Sequence, residues 1–200
     1  MTSTAPAVTP RRESGFKELV ALVAMLMAMN ALAIDSMLPA LPAIGEGLGV
    51  GDANQRQWVV TAYLLGFGVT QIIYGPLADR FGRRPVLFTG VAIYVLFSAV
   101  AAFAWSFEAL LAARVLQGVG TASTRVLAVA IVRDQYEGRR MAQVMSLSFL
   151  VFLAVPILAP SVGALILMLG PWRWIFAVLG LFGVAILVWA AMRLPETLKP

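Results

Sequence analysis

Residues 75–85 read GPLADRFGRRP, and this short polar stretch separates two long apolar runs. Asp79 lies among three arginines, where a charge-assisted hydrogen bond forms easily. Gly82 permits the positive φ that a tight turn needs, and Pro85 suits the first turn of a following helix. A basic loop that only sets membrane orientation would explain the arginines, but it would explain neither Asp79 nor the glycines.

The composition around this loop is that of a membrane protein. The 200 residues are 60% hydrophobic and only 12% charged, with a mean hydropathy of +0.87, whereas soluble domains carry about 25% charged residues. The pI of 10.2 would suit a nucleic-acid partner. We expect none, because the basic residues form short clusters between apolar runs and no basic face.

The sequence contains neither cysteine nor histidine. A disulfide framework and a thiolate metal site are therefore excluded, and any proton chemistry has to use carboxylates, with arginines as helpers. The sequence also contains no phosphate-binding loop and no nucleophilic triad. We expect no enzyme activity, no metal and no cofactor, with a proton gradient as the energy source.

Six apolar runs reach the length of about 20 residues that a helix needs to cross the hydrocarbon core. The predicted fold class is an all-α integral membrane protein with six transmembrane helices in one bundle, 19–192. A polar cytoplasmic tail, 1–18, precedes the bundle, and 193–200 begins a cytoplasmic linker or C-terminal tail. The first outer segment, 39–56, is predicted to be a glycine-rich loop. The six spans are predicted at 19–38, 57–77, 86–105, 107–132, 142–169 and 172–192.

The loop charges predict the orientation, since cytoplasmic loops carry the excess of Lys and Arg. Only Arg56 and Arg173 fall outside, so both termini are predicted to be cytoplasmic. Four tryptophans fall near the outer helix ends, where indoles settle at the interface; they are Trp58, Trp105, Trp172 and Trp174. A signal peptide is the competing interpretation of the N-terminus, but the first apolar run of this chain is longer than the apolar region of a signal peptide. The eleven basic residues on the cytoplasmic side are Arg11, Arg12, Lys17, Arg80, Arg83, Arg84, Arg133, Arg139, Arg140, Arg193 and Lys199.

The Asp79 loop resembles the signature loop G-x-L-a-D-r-x-G-r-r/k of the major facilitator superfamily. The resemblance implies one major-facilitator half-bundle, since members of that family have two six-helix halves with the substrate cavity between them. It also implies that the loop is a conformational latch at the cytoplasmic gate and does not bind substrate. The positions that carry the gate motif are Gly75, Asp79, Arg80, Gly82, Arg83 and Arg84, with Leu77 matching as well.

Span four contains RVLQGVGTA at residues 114–122, which is similar to the motif R-x-x-Q-G-x-G-x-A of proton-coupled drug exporters in that family. A central arginine is costly in hydrocarbon and normally faces a cavity or a partner. At 100° per residue Arg114, Gln117, Thr121 and Arg125 share one face, and we expect this stripe to line a water-filled substrate cavity. The alternative is structural, with the arginines bound to backbone carbonyls. Weaker cavity candidates are Tyr63 and Asn30.

Span one ends with DSMLPALP at residues 35–42, which resembles the bicyclomycin/chloramphenicol-resistance (Bcr/CflA-like) branch of drug:proton antiporters. Asp35 is the only acid clearly within a span. A carboxylate removed from water can exchange protons near neutral pH, so Asp35 and Arg114 are predicted to couple protons to transport. A solvated, interfacial Asp35 is the alternative. The resemblance implies the bacterial inner membrane.

Span five carries Pro156, Pro160 and Gly163, a partial match to the G-P-x-x-G-G core of the antiporter motif. Alanines stand at Ala159 and Ala164, where glycines are usual. Prolines inside a helix remove backbone donors and bend it, so we expect a kink. Antiport is favoured over other modes of transport.

Two hypotheses for function remain open. The first is a half-unit of a secondary transporter for multidrug efflux, which needs a second six-helix unit from a homodimer or a missing C-terminal half. The second is a truncated or scaffold membrane module that folds without transporting. The expected partners are membrane lipid and a small lipophilic, drug-like substrate. The cavity could favour a cationic or zwitterionic compound, and its two arginines could equally favour an anion.

Overall fold

The computed structural model describes residues 15–194. Most of the predicted tail, 1–14, and most of the predicted linker, 195–200, lie outside the described residues. Eight helices and one 3₁₀ turn, Leu38–Ala40, make up the described part. The helices are α1 Phe16–Asp35, α2 Leu41–Leu48, α3 Ala53–Arg56, α4 Trp58–Phe81, α5 Arg83–Ala102, α6 Phe107–Gln135, α7 Gly138–Leu169 and α8 Arg173–Arg193.

Within residues 15–194 six helical segments are long and apolar enough to span a membrane, which confirms the all-α, six-helix fold. They are α1 continued through α2, α3 continued through α4, and then α5, α6, α7 and α8. The helices extend a few residues beyond most predicted ends. Both Pro156 and Pro160 lie inside the uninterrupted helix α7, and the kink stays a prediction.

The segment 39–56 was predicted to be a loop, and this prediction is wrong, because α2 and α3 occupy much of it. Pro42 falls in the first turn of α2, where its missing N–H costs nothing, and Ile44 is buried. Gly49 ends the helix with φ +73°. Asp52 caps α3 by accepting a hydrogen bond from the Asn54 backbone N–H at 2.9 Å, as N-cap residues do. Packing and capping thus override the low helix propensity of the glycines.

Helix α6 lies at the centre of the bundle and packs against α1, α4, α5 and α7. Glycines allow this close packing. A Cβ at Gly118 of α6 would overlap the carbonyl oxygen of Tyr63 in α4, and a Cβ at Gly66 of α4 would overlap the carbonyl oxygen of Val115. On the α5 side, a Cβ at Gly120 would lie 2.5 Å from the Tyr94 backbone nitrogen. Gly118 and Gly120, the two glycines of the α6 motif, therefore allow close contacts with two different helices, α4 and α5.

Both ends of the bundle are tied by arginines. We call the end that holds Phe16 and Arg193 the terminal side, and the other end the opposite side. On the terminal side Arg193 of α8 pairs with Glu18 of α1 at 3.2 Å, and Arg84 of α5 donates to the Ala191 carbonyl of α8 at 2.7 Å. On the opposite side Arg173 donates to the Ala104 carbonyl at 2.9 Å. These contacts hold the spans together as one body.

The tryptophans on the opposite side differ in their exposure. Trp58, Trp105 and Trp174 are exposed, as interfacial indoles are, but Trp172 is only 5% exposed. Its ring packs edge-on against Phe176, and the indole nitrogen lies so close to Gly47 that a Cβ there would stand 2.8 Å from it. Trp172 therefore anchors α2 to α8, and its predicted place at the interface is corrected.

Candidate functional site

Arg114 is completely buried among α1, α4 and α6. Its Nε donates to the Val59 carbonyl of α4 at 3.0 Å, and its Nη2 donates to the Ala33 carbonyl of α1 at 3.0 Å. Its Nη1 donates to Oε1 of Gln117 at 2.7 Å. The Ala33 carbonyl belongs to the last turn of α1, where helix carbonyls lack intrahelical partners. Arg114 therefore caps the end of α1 and ties it to α4 and α6.

A polar chain extends from Arg114 through the interior of the bundle. The Gln117 amide donates to the Ser98 hydroxyl of α5 at 2.7 Å, and Thr121 donates to the Gln117 carbonyl at 2.9 Å. In this structure the stripe formed by Arg114, Gln117 and Thr121 faces neighbouring helices and not water. Its part in a substrate cavity stays a prediction. Ser98 was missed by the sequence reasoning, although its hydroxyl interrupts an apolar run near the end of α5.

Tyr63 joins Arg114 to α1. The Arg114 guanidinium lies 4.4 Å from the centroid of the Tyr63 ring, a favourable cation–π distance. The Tyr63 hydroxyl donates to Oδ1 of Asn30 at 3.0 Å. Tyr63 is buried and Asn30 is partly exposed. The two weaker cavity candidates are thus in contact with each other and with the arginine network.

Asp35 is the last residue of α1 and is partly exposed. Its carboxylate forms no ion pair or hydrogen bond with any residue of the described range. It stands two residues after Ala33, whose carbonyl accepts from Arg114. A carboxylate at this place is open to protons and to cations, while its backbone is fixed by the arginine.

Helix α7 brings the antiporter-like motif to the same end of α1. A Cβ at Gly163 would overlap the Ser36 carbonyl oxygen and would lie 3.0 Å from Cγ of Pro39. Glycine at 163 thus allows α7 to approach the residue that follows Asp35. The motifs of α6 and α7, far apart in sequence, meet at the end of α1. The backbone carbonyls that carry these contacts give no signal in the sequence.

Arg125 lies on the same helix as Arg114, about 16 Å further along the axis. Its guanidinium lies 5.6 Å from the ring centroids of both Phe149 and Phe152 of α7. It is partly exposed. Among the described residues it has no hydrogen bond and no carboxylate partner. The two arginines of span four therefore differ. Each guanidinium nitrogen of Arg114 donates to a protein oxygen, whereas Arg125 is held only by aromatic rings.

The predicted loop 75–85 is helical except at Gly82, because α4 continues to Phe81 and α5 begins at Arg83. This segment, still called the Asp79 loop, builds an ion-pair cluster on the terminal side. Arg83 contacts the Asp79 carboxylate at 2.6 Å and the Asp134 carboxylate at 3.0 Å, so α4, α5 and α6 meet at one guanidinium. Asp134 at the end of α6 thus joins this network, whereas its neighbour Arg133 is exposed and has no ion pair in the described range. Gly82 has φ +98°, which confirms its turn role. The latch role of the loop stays a prediction.

An apolar groove of about 430 Å³ opens between α4 and α5, with Val119 of α6 also in its wall. Thr70 and Thr89 line it, but their hydroxyls donate to the backbone carbonyls of Gly66 and Pro85. The groove wall is therefore apolar. It lies beside the Asp79 loop and contains neither Asp35 nor Arg114.

The six-helix bundle, the buried Arg114 and the ion-pair cluster at Asp79 agree with the expected major-facilitator half-bundle. The family model described as "Major Facilitator Superfamily" matches residues 23–200. The chain therefore belongs to the major facilitator superfamily.

The chain is also similar to individual curated proteins of this family. It is 35% identical over 172 residues to "Multidrug resistance protein MdtL" of Escherichia coli (strain K12 / DH10B), and equally to that of Shigella boydii serotype 18. The match covers 86% of this chain and 44% of the relative, so the chain spans about half the length of the curated relatives it matches. The similarity supports the resemblance to the Bcr/CflA-like antiporters, to which such efflux proteins are related.

Solved structures share the fold. The human organic anion transporter MFSD10 (TETRAN) superposes with a TM-score of 0.71 and 25% identity, covering 94% of this chain and 49% of its own. The proton:xylose symporter XylE gives a TM-score of 0.80 at 12% identity, covering 91% of this chain and 45% of its own. In both cases this chain superposes on about half of the longer chain.

Proposed function

We propose that this chain forms one six-helix half of a proton-coupled multidrug efflux transporter in a bacterial inner membrane, with both termini in the cytoplasm. The observation that carries the proposal is the 35% identity to the multidrug resistance protein MdtL over 172 residues. This similarity extends over 86% of the chain and supports a function in efflux.

Alternating access fits the way the half-bundle is held together. Such transporters work largely by rocking one rigid half against the other around a fixed site. Arginines connect the spans at both ends, through Arg114 on the opposite side and Arg83 on the terminal side. The half can then move as a unit, while the Asp79 loop opens and closes the cytoplasmic gate.

Asp35 is the proposed proton carrier. Its carboxylate has no partner in the described part of the chain, so protonation breaks no existing ion pair. Arg114 holds the carbonyl two residues earlier, and Gly163 packs on the carbonyl of the next residue. A change of charge at Asp35 would thus act on a helix end to which α6 and α7 are both attached.

The second six-helix unit is supplied by another copy or by a C-terminal half. The two halves of these transporters are related by an axis along the membrane normal, so a C2 homodimer would imitate them. Large apolar side chains such as Ile72 of α4 and Ile157 of α7 are exposed on the isolated half. They are available to lipid or to the second unit.

The test is pH-gradient-driven dye transport in everted membrane vesicles. We expect Asp35→Asn to reduce coupled transport at least about tenfold while the variant still folds and inserts. The matched control is Glu46→Gln, since Glu46 is an exposed acid on the same side of the bundle. Vesicles with equal protein content are compared with a cationic, a neutral and an anionic lipophilic dye. Unchanged coupled transport by Asp35→Asn would remove Asp35 from the mechanism.

The same vesicles distinguish the two sources of the second unit. Transport by this chain expressed alone requires a homodimer, which mild-detergent chromatography would detect. Absence of transport of every dye, together with a strict monomer, would exclude the homodimer. If co-expression with a C-terminal six-helix half also gave no transport, the result would contradict the proposed function and favour the non-transporting module.

A further inference from the structure

Of the two arginines inside the predicted span 107–132, Arg114 and Arg125, only Arg125 lacks an acceptor among the described residues. A guanidinium carries five N–H donors, and burying it in a membrane without a partner is costly. Arg114, on the same helix, uses three donors on protein oxygens. Arg125 contacts only the rings of Phe149 and Phe152. The contrast indicates that Arg125 is available for an acceptor outside this half-bundle.

The surroundings of Arg125 restrict what that acceptor can be. The residue lies about 15 Å along the axis from the terminal-side end of α6, within the apolar span. Phe149 is 38% exposed and its neighbour Leu150 is 69% exposed, so the site opens to the surface of the half-bundle. A ligand that reaches the guanidinium therefore also touches aromatic and aliphatic carbon.

We propose that Arg125, clamped by Phe149 and Phe152, is a binding site for amphiphilic organic anions, with an aromatic or aliphatic body and one carboxylate or sulfonate. The two rings lie 5.6 Å from the guanidinium, and its N–H groups donate to no protein oxygen in the described range, so they can make two parallel hydrogen bonds to one anionic group. Such a planar fork matches a carboxylate better than a lysine ammonium does. The inference rests on the proposed function, because it names a substrate class for the same transporter.

The test is equilibrium binding to the purified protein in nanodiscs, which does not depend on transport. The probes are radiolabelled 2-naphthoate, the neutral 2-naphthamide and the cationic 2-naphthylmethylammonium, which share one ring system. We expect the wild type to bind naphthoate about 10- to 100-fold more tightly than the amide, as a hydrogen bond between charged groups provides. Inorganic phosphate at the same concentration should not compete.

Arg125→Gln should reduce the preference for naphthoate to about twofold or less, by loss of the charge-assisted bonds. Arg125→Lys should retain part of the preference for naphthoate, because the positive charge remains but the planar guanidinium that makes two parallel hydrogen bonds is lost. Phe149→Leu should weaken the binding of all three probes by similar factors. This variant tests the site separately if Arg125→Gln does not fold. The matched control is Arg139→Gln, an exposed arginine outside the clamp.

Three results would overturn the inference: equal affinity of naphthoate for wild type and Arg125→Gln, no preference of the wild type for naphthoate over the amide, or competition by inorganic phosphate. The first is the result expected if Arg125 pairs with a carboxylate of the second six-helix unit. Failure of the proposed function is seen separately. A wild type that binds naphthoate through Arg125 but moves no dye in vesicles keeps the site and loses the transport function.

Discussion

Replacing Gly118 by alanine tests whether the contact between α4 and α6 sets the position of the Arg114 network. A Cβ at Gly118 would overlap the Tyr63 carbonyl oxygen, and it would lie 2.9 Å from the Phe67 nitrogen and 3.1 Å from the Tyr63 carbonyl carbon. All three are backbone atoms of α4, so none of them can rotate away. The two helices would have to separate by roughly 1 Å to restore ordinary carbon contacts of about 3.5–4 Å.

The expected magnitude follows from two opposing effects. Overpacking of a tight contact costs about 1–3 kcal/mol, whereas alanine gains up to about 1 kcal/mol over glycine in helix propensity. The net loss in the free energy of unfolding should be about 1–2 kcal/mol. A separation of that size would also lengthen the 3.0 Å hydrogen bond from Arg114 to the Val59 carbonyl beyond its useful range. We therefore expect the Gly118→Ala variant to lose transport activity as well as stability.

Gly68→Ala is the matched control, because it makes the same chemical change in α4 with nothing within 4 Å of the added Cβ. It should be neutral or stabilising by up to about 1 kcal/mol. The free energy of unfolding is measured by titration from dodecylmaltoside into sodium dodecyl sulfate, followed by circular dichroism. Equal values for the two alanine variants would refute the close contact and, with it, the path from Gly118 to Arg114.

Two further predictions concern the gate loop. Gly82→Ala should destabilise the protein by about 1–3 kcal/mol, because the φ of +98° and ψ of 151° at this position are strained for any residue with a Cβ. Unfolding in detergent measures this loss. The control Gly75→Ala, whose added Cβ would have nothing within 4 Å, should show no such loss. Arg83→Gln removes the guanidinium shared by Asp134 and the loop carboxylate and should slow dye transport several-fold without abolishing dye binding. Arg133→Gln should leave the rate unchanged, and equal rates for both variants would argue against the latch.

The sequence predicted the features that depend on local pattern. Six apolar runs, each near the length of the hydrocarbon core, were enough to place the spans. Gly82 was identified from the turn it permits, and the structure shows the positive φ. These predictions rest on periodicity and charge, which a single sequence displays directly.

The sequence did not predict what depends on the packing of distant segments. Helix α2 forms where a loop was expected because Ile44 is buried and Trp172 packs from α8. The partners of Arg114 are a second example. Binding to backbone carbonyls was the structural alternative for this arginine, but the sequence does not indicate that the carbonyls belong to Val59 and Ala33. Every residue carries a backbone carbonyl, so no sequence pattern shows which carbonyl will accept a hydrogen bond from an arginine.

Proton movement by purified protein in proteoliposomes tests the central claim, that Asp35 carries the coupled proton, most directly. A pH-sensitive dye inside the vesicles reports proton flux when a substrate found in the dye panel is added outside. We expect substrate-dependent proton flux for the wild type and Glu46→Gln, and none above background for Asp35→Asn, which should still bind substrate. Proton flux by Asp35→Asn at the wild-type ratio of protons to substrate would contradict the role of Asp35 as the proton carrier.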